Sequence, residues 1–381
     1  MSHKKLIFVV TEDWYFYSHR KPMIRAAQSC GYDVSVITHI DKHKKEIEDL
    51  GVKVIEFSFE RRSLNPIKAL SQINKLKKIY AEQKPEIVHH IAMKPILYGS
   101  FAAWFSKVPK VLNAFAGLGY VFNARTVLAM LVRLGLWLPF IILMRRDNTW
   151  LLFQNQDDEK TLKDFGYVVD ERSLVIRGSG IDLEEYPQRS FPDLDGKMFC
   201  AFAGRMIEIK GLPTLQEAFD LLENNNVPAE LHLYGRPDAQ NPGSWNEARL
   251  RAWENDSDNV IYEGHADDMR AEWGKAHIAI QVSYGGEGVP KSLLEAAACG
   301  VAIIASDVPG CREVVIDGEN GFLIDPYDAN ALAHAIEKLS FDPELCKRMG
   351  EKSRIMVESD MSADNVQKQT AALYERIVSD L

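Results

Sequence analysis

Along the chain, short runs dominated by Val, Ile, Leu and Phe alternate with longer stretches in which apolar residues recur every three or four positions. The short runs at Lys5–Val10, Asp33–Thr38, Val52–Phe57, Glu86–Ile91, Lys110–Phe115 and Thr149–Asn155 predict strands in the first half. Between them Pro66–Gln83 predicts an amphipathic helix opened by a proline at a permitted early position. The second half repeats the pattern with strands at Phe199–Ala203, Glu230–Tyr234, Asn259–Tyr262, His277–Val282, Ala302–Ala305 and Phe322–Ile324. Strand and helix in alternation predict an α/β protein with parallel sheets and right-handed crossovers. Ile181–Lys197, rich in Asp, Glu, Pro and Gly, has the composition of a linker and puts a boundary near Pro192. Ala329–Leu339, Pro343–Val357 and Ala363–Ser379 predict closing helices without strands among them.

At 381 residues the chain suits two α/β domains of ordinary size: residues 1–192, residues 193–360, and a final helix in residues 361–381 that packs back toward the first. Two Rossmann-like halves put the carboxyl ends of both sheets around one cleft, where ligands of such sheets bind. The net charge of −9 argues against a nucleic-acid partner. Cys30, Cys200, Cys299, Cys311 and Cys346 are odd in number and scattered, which suggests neither a zinc site nor a disulfide framework and fits a reducing compartment. The apolar run Leu6–Val10 is too short for a signal peptide and is followed at once by Glu12 and Asp13, which predicts a cytoplasmic protein.

Two segments carry the chemistry. In Gly285-Gly286-Glu287-Gly288-Val289-Pro290-Lys291 a strand runs into a glycine-rich turn, and a helix is expected from about Val289–Pro290. The backbone N–H groups of Gly288 to Lys291 would point out of that helix start, which suits a phosphate. Glu295, further along the helix, is placed to accept hydrogen bonds from a diol such as a ribose, and Glu287 to face a second hydroxylated group. The bland alternative is a generic strand-to-helix turn with solvated glutamates. The second segment, Gly204-Arg205-Met206-Ile207-Glu208-Ile209-Lys210-Gly211, follows the first strand of the second domain. Arg205 and Lys210 could converge on one anion and stabilise the charge that grows on a departing diphosphate, a metal-free alternative to Mg²⁺. Otherwise they are a solvated basic loop.

Together these motifs resemble the large family of retaining glycosyltransferases with the two-Rossmann (GT-B) architecture, family 4. The match comprises G-R-x(4)-K-G at Gly204–Gly211, E-G-x-P-x(4)-E at Glu287–Glu295, and Val301–Gly310 ending Asp-Val-Pro-Gly. It also includes Leu233-Tyr234-Gly235, Ser179-Gly180-Ile181-Asp182 and Asp317-Gly318-Glu319-Asn320-Gly321-Phe322. The resemblance implies that Arg205 and Lys210 hold the donor diphosphate, Glu295 the ribose and Glu287 the transferred sugar. It brings the backbone of Gly204, Gly288, Val289 and Pro290 near the donor, and puts Gly235, Gly264 and His265 beside the base. The donor it implies is a nucleotide sugar, most simply UDP-linked, with no cofactor and no metal. Asp193-Leu194-Asp195 and Asp256-Ser257-Asp258 match the D-x-D of metal-dependent transferases only lexically and read as solvated loops.

The first domain resembles the family less. Thr11–Phe16 has no glycine where many members have a glycine-rich turn. His19-Arg20-Lys21-Pro22, Ser63-Leu64-Asn65-Pro66 and Gly117-Leu118-Gly119 look like those of transferases that add N-acetylgalactosamine or related sugars to undecaprenyl-diphosphate-linked oligosaccharides. The resemblance makes His19, Arg20, Gly117 and Gly119 acceptor-side residues. His90, at a strand end, is an acceptor candidate with a structural role as its alternative, as for His89. Asn113-Ala114-Phe115-Ala116 stands where many members have a histidine. A scheme without a protein base follows, in which the departing phosphate oxygen takes the acceptor proton.

From Ile87 to Arg146 there is no Asp or Glu, while Lys94, Lys107, Lys110, Arg125, Arg133, Arg145 and Arg146 all occur. Within this stretch Val127–Met144 is almost wholly apolar, broken by Arg133, Gly135 and Pro139. A central arginine and a proline disfavour a spanning helix. An interfacial segment over residues 120–146 fits better, with Leu136, Trp137 and Leu138 in the acyl boundary and Arg133, Arg145 and Arg146 on lipid phosphates. Buried core helices are the alternative. The sequence thus predicts a hexosyl- or N-acetylhexosaminyltransferase acting on a polyprenyl-diphosphate glycan at the inner membrane surface. A soluble acceptor, a sugar-nucleotide epimerase of the same fold and a silent sugar-nucleotide-binding subunit are the alternatives.

Overall fold

A computed structural model describes residues 4–59, 65–118, 122, 127–194, 196–285 and 288–379. The chain divides into two compact units, residues 1–180 with 363–381, and residues 181–362.

In unit 1 the strands are β1 (Lys4–Glu12), β2 (Tyr32–His39), β3 (Lys53–Glu56), β4 (Ile87–Ile91), β5 (Lys110–Phe115), β6 (Thr149–Phe153) and β7 (Ser173–Val175). They form a parallel sheet in the order β3-β2-β1-β4-β5-β6-β7. Leu6–Val10 and all of β4 to β6 are buried, because helices cover both faces of the sheet. The helix Pro66–Gln83 has the predicted bounds: the Asn65 side chain accepts from the N–H groups of Ile67 and Lys68, and Lys84 ends it in the left-handed region. The helix Ala363–Ser379 packs on the helix Lys21–Ser29 and places Val366, Leu373, Tyr374 and Ile377 in the core of unit 1. Each such side chain contributes about 1.5–3 kcal/mol by leaving water.

In unit 2 the strands are β8 (Met198–Ala203), β9 (Ala229–Tyr234), β10 (Val260–Gly264), β11 (Ile278–Gln281), β12 (Ala302–Ser306) and β13 (Gly321–Ile324). They are parallel in the order β10-β9-β8-β11-β12-β13. The helices Ala329–Phe341 and Pro343–Met356 are started by Asp328 and Asp342, whose carboxylates accept from Ala331 N–H and Leu345 N–H.

The boundary differs from the one composition placed near Pro192. It falls between Gly180 and Ile181, because the polar segment that follows is tied to unit 2. Ile181 N–H donates to Met361 O at 3.0 Å, Arg189 N–H to Cys299 O at 3.2 Å, and the Arg354 guanidinium to Tyr186 O at 2.7 Å.

Candidate active site

In unit 2, β8 lies between β9 and β11. The chain runs from β8 to one side of the sheet and later returns on the other, which makes the carboxyl ends of β8 and β11 the switch point of the sheet, where ligands of open α/β sheets bind. Gly204–Gly211 leaves β8 there, and Val282–Pro290 leaves β11.

These two segments touch. Tyr284 N–H donates to Ile209 O at 2.9 Å, and Thr214 Oγ1 lies 2.9 Å from the Tyr284 hydroxyl. Gly211 has φ +84°, and a Cβ there would lie 2.1 Å from Val282 O. Both backbone and space require glycine. Gly235, just after β9, has φ +150°, and its Cβ would lie 1.7 Å from Gly204 O. Gly204 is under no such constraint: a Cβ would meet only the Phe202 ring, at 3.4 Å.

Arg205 is exposed and its Nη1 lies 2.9 Å from Asp238 Oδ2. Lys210 closes the short turn Glu208–Lys210, with its N–H on Ile207 O at 3.0 Å. The helix of the second segment runs from Lys291 to Ala298 with Pro290 as its N-cap, slightly later than expected. Val289 and Pro290 are buried and Gly288 is half-buried, while Glu287 and Gly286 lie outside the described residues. Glu295 is buried, its Oε2 accepting from Trp273 Nε1 at 3.3 Å and its Oε1 lying 3.5 Å from Lys291 Nζ. Burial, and the Glu295 carboxylate beside it, push the Tyr186 phenol well above its ordinary range. Gly235 N–H donates to Gly264 O at 2.6 Å, so the connections after β9 and β10 meet, and His265 beside them is exposed. Asp238, Trp273, Tyr186 and Tyr284 were not singled out by the sequence, because each takes its role from a partner distant in the chain.

The D-x-D residues sit elsewhere. Asp193 precedes β8 and Asp258 precedes β10, at the amino ends of the strands; Asp195 lies outside the described residues. A cavity of 890 Å³ lined by Phe199, Glu230, His232 and His277 also opens at those amino ends.

Unit 1 has the same topology, with β1 between β2 and β4. Asp13, fully buried after β1, accepts from the N–H groups of Asp41, Lys42 and His43 at 2.8–3.0 Å and of Trp14 at 2.7 Å. Burial works to raise its carboxyl, but these four donors outweigh it and hold it below the usual carboxylate range. The acceptor-side expectations for His90 and Arg20 are corrected. His90 is fully buried, with Nδ1 2.8 Å from Asn113 Oδ1 and Nε2 3.0 Å from the Tyr80 hydroxyl. Burial lowers its pKa to about 4, against the opposing effect of the hydrogen bond its Nδ1–H donates to Asn113 Oδ1. His89 is equally buried, with Nδ1 2.9 Å from the Tyr374 hydroxyl. Alternation sends the two rings to opposite faces, but helices cover both. Arg20 is 1% exposed, between the Tyr15 hydroxyl at 2.6 Å and Met23 Sδ, and presents no surface to an acceptor. His19 stacks on Tyr15 with ring centroids 4.4 Å apart. Gly117 has φ +92°; Gly119, Ser63 and Leu64 lie outside the described residues.

The helix Val127–Met144 has two characters. Phe140, Leu143 and Met144 are buried against Phe115, Phe153 and Tyr167, whereas Met130, Trp137, Leu138 and Ile142 are 42–63% exposed. No described helix is long and apolar enough to cross a membrane. Arg133 donates to Phe122 O at 3.0 Å, Arg145 to Gly166 O at 3.1 Å, and Arg146 lies over the Trp104 ring. Arg125 and the side chain of Leu136 lie outside the described residues.

The family model "Glycosyl transferases group 1" matches residues 184–356, and "Glycosyl transferase 4-like" matches residues 5–136. The chain is 26% identical to N,N'-diacetylbacillosaminyl-diphospho-undecaprenol alpha-1,3-N-acetylgalactosaminyltransferase of Campylobacter jejuni, over 96% of both chains. It is 24% identical to UDP-Gal:alpha-D-GlcNAc-diphosphoundecaprenol alpha-1,3-galactosyltransferase of Escherichia coli, over 74% of each. Among solved structures, a glycosyltransferase of Rickettsia africae superposes with a TM-score of 0.81 at 17% identity over 100% of both chains. Anabaena HepE in complex with UDP and glucose superposes at 0.78 and 16% identity, over 98% of this chain and 100% of that one.

Proposed function

This chain belongs to the family 4 glycosyltransferases of GT-B fold, and we propose that within them it is a retaining transferase. It moves a hexose or N-acetylhexosamine, with N-acetylgalactosamine the leading candidate, from a UDP-sugar to a polyprenyl-diphosphate-linked glycan. The observation that carries the donor half is the hydrogen bond from Tyr284 N–H to Ile209 O. It ties the loop bearing Arg205 and Lys210 to the turn that precedes the helix start at Pro290, at the switch point of the sheet. In this reading Arg205 and Lys210 receive the diphosphate, the N–H groups after Gly288 complete its cradle, and Glu295 takes the ribose hydroxyls. Glu287 is assigned to the transferred sugar on its motif.

Transfer breaks the bond from the anomeric carbon to the diphosphate oxygen and forms one to the acceptor oxygen on the same face. The acceptor proton passes to the departing phosphate oxygen, leaving UDP and the extended glycan. Asn113, in the stretch where many family members have a histidine, is buried and bonded to His90 and Ser100. No metal is assigned to the site; two cations stand in for one.

For the acceptor, the exposed apolar residues of the helix Val127–Met144 favour a lipid-linked glycan over a soluble one. A protein working alone in solution seldom shows Trp and Leu side by side at the surface of an apolar helix. The names of the Campylobacter and Escherichia relatives point to the same acceptor class. We place the enzyme at the inner face of the plasma membrane, held peripherally.

The test is incubation of the purified protein with UDP-, GDP- and dTDP-sugars, read first as thermal stabilisation and then as transfer to a synthetic polyprenyl-diphosphate N-acetylhexosaminide. Nuclear magnetic resonance of the product reports the anomeric configuration. A product of inverted configuration, or transfer to free oligosaccharide alone, overturns the corresponding part of the reading.

A further inference from the structure

Tyr327 follows β13 and has φ +70°, a left-handed conformation that a tyrosine adopts at a cost. Its side chain is 66% exposed, so burial does little to offset that cost. What the conformation achieves is a stack: the Tyr327 ring lies 3.8 Å from the Tyr284 ring, centroid to centroid, at an interplanar angle of 25°. Tyr284 is the residue whose N–H holds Ile209 O and whose hydroxyl meets Thr214. Strained backbone that the surroundings enforce is characteristic of functional loops.

We propose that Tyr327 is a positioning residue of the donor site. Its ring clamps Tyr284, and Tyr284 in turn fixes the Ile209–Lys210 corner against the end of β11. The orientation of the cations toward a nucleoside diphosphate is set through this chain of contacts, without Tyr327 touching the donor. The inference rests on the donor-site reading given above.

Three variants separate the roles. Tyr327→Asn and Tyr327→Gly suit a left-handed backbone better than tyrosine, so they fold with melting points at or above that of the parent, yet they lose the stack. Tyr327→Phe keeps the stack and loses only the hydroxyl. Steady-state kinetics with the nucleotide sugar should show KM for the donor raised about tenfold in the Asn and Gly variants. KM for the acceptor stays constant, and Tyr327→Phe behaves as the parent. Parent-like donor constants in Tyr327→Asn overturn the proposal. So does a Tyr327→Phe variant as impaired as Tyr327→Asn, since the hydroxyl would then contact substrate directly. If the parent protein itself is stabilised by no nucleotide sugar and transfers none, the donor-site reading and this proposal both fall. Donor binding by the parent with unaltered Asn and Gly variants defeats the positioning role alone.

Discussion

Arg205 and Asp238 face each other across the loops after β8 and β9, 2.9 Å apart, and Arg205 is largely in water. Exposed pairs of this kind contribute only ~0–1 kcal/mol to stability, so the contact holds the guanidinium in place more than it holds the fold. A diphosphate offers a denser charge and competes for the same donors. Arg205→Ala is expected to lower kcat by roughly 10²–10³, the scale for losing one preorganised donor, with little change in melting point. Asp238→Asn frees the guanidinium and should tighten UDP binding, read by calorimetry. An Arg205→Ala enzyme with undiminished turnover would remove the residue from the reaction.

Three glycines of the site, Gly211, Gly235 and Gly204, part company under substitution. At Gly211 and Gly235 a methyl group meets a carbonyl oxygen at 2.1 and 1.7 Å, on backbones of positive φ. The conformation alone costs about 1–3 kcal/mol, and the clash adds to it. Gly211→Ala and Gly235→Ala should therefore lower the urea midpoint clearly. Gly204→Ala meets only the Phe202 ring at 3.4 Å and should leave the midpoint unchanged, so that any loss appears in donor KM. A Gly211→Ala protein as stable as the parent would contradict the packing of Gly211 on Val282.

Asp158, 3% exposed, lies in the first turn of the helix Gln156–Asp164 that Asn155 caps, accepts from Asn155 Nδ2, and has its pKa raised by burial to about 6 from an ordinary 3.8. Nearby Asp157 adds to the rise, and the hydrogen bond from Asn155 opposes it. For a raised carboxyl the folded state resists ionisation, so stability falls as pH climbs from 3.8 to about 6 and is flat above. Asp158→Asn removes that penalty. The variant should be more stable than the parent by about 1–3 kcal/mol at pH 7–8 and equal to it below about pH 4. Denaturant curves at several pH values give the answer; a gain that grew toward acid would have the wrong sign.

Trp137 and Leu138 are 46% and 57% exposed. Seating each in an acyl boundary is worth up to ~1.5–3 kcal/mol. Trp137→Ser with Leu138→Gln should cut sedimentation with anionic phospholipid vesicles at least tenfold, with the melting point preserved. Equal sedimentation of parent and variant would dissociate this helix from the membrane.

His90→Ala distinguishes a core histidine from an acceptor contact. It leaves the buried Tyr80 hydroxyl without its partner and Asn113 Oδ1 with Ser100 alone, which costs about 1–3 kcal/mol for the orphaned hydroxyl. The expected loss is of stability, with acceptor KM constant. A raised acceptor KM at full stability would restore His90 to the site.

Much of this architecture is written in apolar runs. Lys110–Phe115 and Pro66–Gln83 have the same ends in the sequence reading and in the structure, because a buried central strand and a capped helix each carry their own punctuation. β7, Ser173–Val175, has too few residues to show a period. The misplaced boundary has a different cause. Composition reports polarity, but Arg189 and Tyr186 are polar and still fastened to unit 2 through backbone hydrogen bonds. The site divides the same way. The motifs Gly204–Gly211 and Glu287–Glu295 are read from glycines and charges close together in the chain. Asp238 is 33 residues from Arg205, and Trp273 is 22 from Glu295, so only folding reveals those pairs. His90 is hidden because its strand is covered on both faces, and Arg20 because it sits between two helices with its guanidinium held by Tyr15 and Met23.

The helix Ala363–Ser379 completes the core of unit 1 with Leu373, Tyr374 and Ile377, yet it leaves the ribosome only after every residue of unit 2. At roughly 5–20 residues per second, the intervening Ile181–Ser362 takes on the order of 10–40 s to synthesise. Throughout that interval the nascent first unit lacks its final wall, and the apolar side of Lys21–Ser29 stands open. Unit 2, whose strands and covering helices are contiguous in the chain, can mature before the unit that was begun first.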